Sequence, residues 1–178
     1  TAPTITFLSR LPAANGNGWN SADVTITWSC TNSLSPILSG TVTQTLTAEG
    51  AAQSATGMCQ DQAGNTASNT QSGINIDKTA PTGVSLVPSG TLGNNGWYTS
   101  NVTITTTGTE AVSGPLTCTG VQSLTTDTAS ATFNGSCTNL SGFTSNAAPL
   151  TLKRDATNPT ITFLNRTPAN GNGWINGD

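Results

Sequence analysis

Four cysteines and no histidine set the limits of the chemistry this sequence can perform. Without histidine, Ser–His and Cys–His nucleophile systems lack their general base. Cys30, Cys59, Cys118 and Cys137 are separated by 29, 59 and 19 residues. That spacing contains no Cys-x-x-Cys pair and suits a zinc–thiolate site poorly. Disulfides use the four better. Cys59 and Cys137 each stand 56 residues after a proline, Pro3 and Pro81, whereas Cys30 stands 27 after Pro3 and Cys118 37 after Pro81. We expect the pairs Cys30–Cys59 and Cys118–Cys137, the later cysteine keeping a partner drawn from a different neighbouring strand. Each bond stabilises by about 2–4 kcal/mol, mainly by restricting the unfolded chain, and each implies an oxidising compartment.

The carboxylates are few: Asp23, Glu49, Asp61, Asp77, Glu110, Asp127, Asp155 and Asp178. Glycoside hydrolysis needs two of them facing each other across a cleft, and most fall in turns, so we expect no enzyme. A hard cation is the better metal reading. Asp77 stands at a unit junction, and Asp61 and Asn65 stand in a nearby turn, so the three would gather calcium there. The plainer reading is that Asp77 caps a turn and Asp61 closes an Asx-turn on its own backbone. With so few acids the plainer reading is preferred, and no cofactor is expected beyond that calcium.

Trp19, Trp97 and Trp174 recur at near-constant spacing and would make a sugar-stacking row, with Trp97 and Tyr98 the best candidates. The competing reading buries each ring at the end of its own unit. An internal Lys–Asn isopeptide has only Lys78 and Lys153 to draw on, both near junctions. Asn101, Asn134, Asn139 and Asn165 begin Asn-x-Ser/Thr sequons, which are permissive for glycosylation in a chain this rich in Asn and Thr.

Composition narrows the partners. Only 7% of residues are charged, against about 25% in an ordinary soluble domain. The five basic residues are scattered and the net charge is −3, so there is no electrostatic footprint for nucleic acid. No apolar run approaches the roughly 20 residues of a membrane span, and no membrane insertion is expected. Thr supplies 35 residues, which favours half-exposed strands.

The elements that position these residues repeat. Pro3, Pro81 and Pro159 are 78 residues apart, and Gly18-Trp19, Gly96-Trp97 and Gly173-Trp174 follow them. We divide the chain into a first repeat, 1–78, a second, 79–156, and the start of a third, 157–178. Asp23-Val-Thr-Ile-Thr-Trp-Ser-Cys30 alternates Val24, Ile26, Trp28 and Cys30 on one face with Thr25, Thr27 and Ser29 on the other. Asn101-Val-Thr-Ile-Thr-Thr106 answers it. Further strands are expected at 4–8, 41–47, 55–60 and 73–76, then at 84–87, 116–119, 123–125, 129–133, 136–138 and 149–153, with one more at 160–164. Nothing shows helical periodicity over three turns. The expected fold is all-β: small sandwiches in tandem, joined end to end as a rod by short proline-limited linkers.

Asp77-Lys-Thr-Ala-Pro-Thr82, Gly96-Trp97 and Asn101-Val-Thr-Ile-Thr105 resemble the bacterial immunoglobulin-like tandem repeats of large secreted and cell-surface proteins. So does Ala55-Thr-Gly-Met-Cys-Gln-Asp-Gln-Ala-Gly-Asn65. The second repeat departs from the pattern, with Asn139-Leu-Ser-Gly-Phe143 in place of Asp61-Gln-Ala-Gly-Asn65. The resemblance implies an immunoglobulin-like sandwich outside a bacterial or archaeal cell. Such modules serve as spacers, adhesin stalks, filament or sheath subunits and appendages of secreted enzymes. We expect a structural repeat protein of a surface filament, sheath or stalk, partnered by copies of itself or by further repeats of the same chain. The alternative is an adhesin stalk or carbohydrate-binding module that meets cell-surface glycans.

Overall fold

The computed structural model describes residues 1–166 and 168–175. The first unit runs β1 (Thr4–Leu11), β2 (Trp19–Asn20), β3 (Val24–Thr31), β4 (Thr41–Leu46), β5 (Gly50–Gln60) and β6 (Thr66–Ile76). One sheet has the order β1-β3-β4 and the other β2-β6-β5. All pairs are antiparallel except β2 with β6. Val24, Ile26 and Trp28 of β3 meet Ala55, Ile74 and Ile76 of the facing sheet in one buried cluster. This is a two-sheet sandwich, and the strict alternation of buried and partly exposed residues along β3 is its clearest signature.

The second unit follows it at an offset of 78: β7 (Thr82–Ser89), β8 (Trp97–Tyr98) and β9 (Val102–Thr109), then β10 (Thr117–Cys118), which has no counterpart among the first unit's strands, and β11 (Gln122–Leu124), which matches the end of β4. The stretch equivalent to β5 is split into β12 (Thr128–Phe133) and β13 (Ser136–Thr138), and that equivalent to β6 into β14 (Thr144–Asn146) and β15 (Leu150–Arg154). The split has a cause in the core. Trp28 spans the first sandwich, fully buried, and its indole N–H donates to Asn69 Oδ1 at 2.9 Å. Gly57 faces the ring so closely that a Cβ there would lie 2.5 Å from it. In the second unit the place of Trp28 is taken by Thr106, which leaves an indole's volume to fill. The opposite sheet closes in: a Cβ on Gly135 would meet Thr106 Oγ1 at 2.6 Å and Leu86 at 2.8 Å. The strand bends at Asn134 and Gly135, and Pro149, which has no N–H to give a ladder, marks the break opposite.

The disulfides follow the same logic. Cys30–Cys59 ties β3 to β5 across the sandwich, with Cα atoms 5.9 Å apart. Gly108 occupies the counterpart of Cys30, and Cys137 Sγ would lie 3.2 Å from a Cβ there. Cys137 therefore still points between the sheets but pairs with Cys118, directly opposite on β10, with Cα atoms 4.0 Å apart.

Two strand expectations are corrected. The strand expected at 73–76 begins at Thr66. Its first half carries Ala67, Asn69 and Gln71 inward rather than large apolar groups, because Trp28 already fills that space from the other side. The stretch 160–164 pairs with nothing among the described residues, and Ile161 and Phe163 are exposed. The counterpart of Ile161, Ile5, packs against the first core, so this segment lacks the sheet that its sequence is patterned to cover.

Overpacking a dry contact costs about 1–3 kcal/mol. Gly57→Ala should lower the unfolding free energy by about that amount, while Gly40→Ala, with nothing near its Cβ, should leave it unchanged. Denaturant titrations of both variants check this.

Candidate functional site

The most developed polar site is the joint between the two units. Asp77 follows the last residue of β6, and its N–H donates to the Asn20 carbonyl at 3.0 Å. Its Oδ1 accepts the Thr79 N–H at 3.0 Å, an Asx-turn that sets the direction of the linker. Its Oδ2 accepts from the second unit: from Ser113 Oγ, from Asn139 Nδ2 at 3.0 Å and from Ser141 Oγ at 3.3 Å. Asp77, Ser113, Asn139 and Ser141 are all buried. A buried carboxylate is tolerated only when charge-assisted hydrogen bonds replace its water, and here most of them come from the neighbouring unit.

Around this centre the linker is fixed on both sides. The Lys78 N–H and the Thr79 hydroxyl both donate to Glu49 Oε1, at 2.6 and 2.8 Å. Lys78 Nζ reaches Asp23 Oδ1 and the Thr47 carbonyl, each at 2.8 Å. Asn15 and Asn17, in the first unit's Asn-Gly-Asn-Gly turn, donate to the Leu140 carbonyl at 2.9 and 3.1 Å. Asn139 is the hub. Its amide N–H2 faces Asp77, the Thr79 carbonyl and Glu110 Oε2, and its Oδ1 accepts the Phe143 N–H. Burial works against the Glu110 charge. The N–H groups of Val112, Ala111 and Ser113 and the Asn139 amide outweigh it and hold the carboxyl below its ordinary value.

The hook at Asp77 is repeated at the end of the second unit. The Asp155 N–H donates to the Tyr98 carbonyl and Asp155 Oδ1 accepts the Thr157 N–H at 3.0 Å. Asp127, the counterpart of Glu49, accepts from the Ala156 N–H and the Thr157 hydroxyl. That hydroxyl and the Ala156 N–H, against the cost of burial, and then the Arg154 guanidinium, lower the Asp127 pKa. Asp155 itself is exposed.

The calcium grouping of Asp61, Asn65 and Asp77 is corrected. Asp61 and Asn65 do meet: Asn65 Nδ2 donates to Asp61 Oδ2 at 3.0 Å, and Asn32 Nδ2 adds a second bond at 2.9 Å. The Asn65 side chain, against the cost of burial, then the N–H groups of Asn65 and Ala63 and the Thr1 ammonium, lower the Asp61 pKa. Asp77, however, stands at the other end of β6, a strand of 11 residues and so about 35 Å long. It meets Asn139, the second unit's counterpart of Asp61, and that residue brings amide donors rather than a carboxylate.

The tryptophans do not form a row. Trp19 is buried, Trp97 is half-buried with the Lys153 ammonium 5.3 Å over its ring, and Trp174 is 73% exposed. Tyr98 packs on the second core. Lys78 and Lys153 hold surface oxygens rather than buried amides. Among the sequons, Asn101, Asn134 and Asn165 are exposed. Asn139 is corrected: it is buried with its amide committed to the joint, so the folded chain does not present it. Sequence reasoning missed Ser113, Ser141, Glu110 and the Asn15–Asn17 turn as parts of one site. The change from Asp61 to Asn139 at the same repeat position was the available signal.

Among the described residues, no helix is long and apolar enough to cross a membrane. No family model matches the chain, and no curated protein does. Among solved structures, the fibronectin(III)-like modules of Clostridium thermocellum CbhA align with 90% of this chain and 100% of that chain, at 10% identity and a TM-score of 0.31. A likeness that weak carries no argument, and the sandwich assignment rests on the sheet order and register.

A group whose folded pKa lies below its unfolded value stabilises fully above the unfolded value and loses that contribution as pH falls through the folded one. Glu110 starts from 4.5, and Asp61 and Asp127 from 3.8. Stability should stay level from neutral pH to about 4.5 and then fall. In Glu110→Gln the fall should begin nearer 3.8, the starting value of Asp61 and Asp127. Thermal unfolding across pH 2.5–7 checks both, at roughly half-unit steps.

Proposed function

We propose that the chain is a structural extracellular repeat protein, a segment of a surface filament, sheath or stalk whose sandwiches stand end to end as a rod. The observation that carries this reading is the buried Asp77 carboxylate, whose donors belong to the next unit. A freely jointed spacer would leave that group in water. A rod under tension needs the unit-to-unit direction held, and the Asx-turn, the Glu49 contacts and the Asn15–Leu140 bond support that reading. Two disulfides, one per unit, suit a chain that works outside the cell.

The nearly uncharged, Thr-rich faces let rods lie side by side without charge repulsion, which favours bundles. The partners are then copies of the chain or further units of the same kind. An adhesin stalk is the second reading, and it shares the same joint. The carbohydrate-binding variant is less well served, since Trp97 gives one ring face to Lys153 and Tyr98 gives its body to the core.

Electron microscopy of native extracellular material should show fibres with an axial repeat of about 35–45 Å per unit, or twice that. Raising salt from about 0.05 to 1 M should leave them intact, since screening has few surface charges to act on. Isolated rods at all concentrations, or fibres that dissolve in salt, would count against the filament reading.

A further inference from the structure

The two units do not present the same leading end. In the second unit, Glu110, Ser113, Asn139 and Ser141 surround the incoming Asp77. At the same places, 78 residues earlier, the first unit carries Asn32, Ser35, Asp61 and Ala63. The local framework is kept. The Ala63 N–H donates to Ser35 Oγ as the Ser141 N–H does to Ser113 Oγ. The Asn65 N–H donates to Asp61 Oδ1 as the Phe143 N–H does to Asn139 Oδ1. Asn32 Nδ2 reaches the Thr1 carbonyl as Asn139 Nδ2 reaches that of Thr79.

What changes is the order of acid and amide. Ahead of the second unit the order is acid, amide, acid: the Asn139 N–H2 lies between Asp77 and Glu110, 3.0 and 2.9 Å from them. In the first unit the amide has moved outward to Asn32, and Asp61 takes the centre, where its Oδ2 already accepts Asn32 and Asn65. An aspartate arriving from a preceding unit would meet a carboxylate oxygen where Asp77 meets an N–H. The hydroxyl of Ser141 would be missing as well.

We propose that the two leading ends are not interchangeable: that of the second unit is a socket that reads the carboxylate closing a preceding unit, and that of the first unit excludes it. The partner of the socket is a trailing Asp-x-Thr hook of the kind formed by Asp77 and Thr79. The consequence is a period of two units. Residues 160–164, Thr-Ile-Thr-Phe-Leu, repeat 4–8 residue for residue, and Asn170-Gly-Asn-Gly-Trp174 repeats Asn15-Gly-Asn-Gly-Trp19, whereas 82–86 read Thr-Gly-Val-Ser-Leu. The segment after Asp155 thus opens a unit of the first type. Even without a sheet beneath it, its turn forms the same bonds, Gly173 N–H to the Asn170 carbonyl at 2.9 Å matching Gly18 to Asn15 at 2.9 Å. A unit so opened that also carried the acid and amide of the first would make closed joints alternate with joints of the other kind, in which the Asp155 hook would meet no donor socket. This rests on the joint itself and holds for a filament and a stalk alike.

Trypsin reads the joint directly in the full chain, since Lys78 is its cleavage point there and exposed Arg166 is an internal reference. The triple substitution E110N/N139D/S141A gives the second unit the residues with which the first unit folds. Cleavage after Lys78, relative to Arg166, should rise about tenfold, as expected when a charge-assisted hydrogen bond is lost and the open form is populated accordingly. Adding D77N supplies an amide to the new carboxylate and should return cleavage toward the wild-type rate. Unchanged cleavage in the triple variant would overturn the proposal. So would cleavage that stays fast after D77N is added, because the loss would then be general destabilisation rather than a mismatch of acid and amide.

Discussion

Everything at the joint depends on one carboxylate having no water around it. Asp77 is fully buried, and a buried charge stripped of partners costs several kcal/mol. Its own unit offers it only turn geometry. The remaining lone pairs are met by a hydroxyl, an amide and a second hydroxyl of the following unit. Neither unit is fully satisfied alone: the first would hold a poorly solvated charge, and the second would lose the acceptor that its buried Ser113 hydroxyl meets. The hydrogen-bond requirement of one residue therefore becomes a constraint on how two sandwiches meet. The rest of the linker follows, with Lys78 and Thr79 laid over Glu49 and the Asn15–Asn17 turn set against Leu140.

The same frame tolerates large differences in the cores. The first unit builds its interior around Trp28, with Gly57 cleared to receive it and Asn69 placed to accept its N–H. The second has Thr106 there, and the facing sheet folds inward at Gly135, which breaks two long strands into four short ones. Among the described residues the buried Thr106 hydroxyl meets no partner, the residue of an exchange that repacking only partly offset. The disulfide moved with it, from a bond between sheets to one between neighbouring strands. Because every strand but β10 keeps the offset of 78, these core adjustments stay inside each sandwich.

Much of this was legible before any coordinates. The alternation of Val24, Ile26, Trp28 and Cys30 marks a strand with one buried face, and all four are buried. Asp77 as a turn former is also legible, since Asp four residues before Pro is turn chemistry. The first half of β6 was not legible, because Thr66 to Ser72 lacks the large apolar residues that period-two patterning detects. Their absence is explained only by the indole arriving from the opposite sheet. The joint was half legible. The sequence marks Asp77 and the change from Asp61 to Asn139, but only the fold shows that Asn139 faces Asp77 whereas Asp61 lies a full strand away. A cluster built from proximity in sequence thus grouped two ends of one unit, when the chemistry joins one end to the next unit.

The central claim is that the two sandwiches are held in one orientation by the buried carboxylate. Residual dipolar couplings measured separately for amides of β3 and β6 and of β9 and β15 test it most directly. Both units of the wild-type chain should share a single alignment tensor, which should resolve into two in Asp77→Ala. Two independent tensors in the wild type would contradict it, since the units would then move freely past a hydrogen-bonded joint that is supposed to fix them.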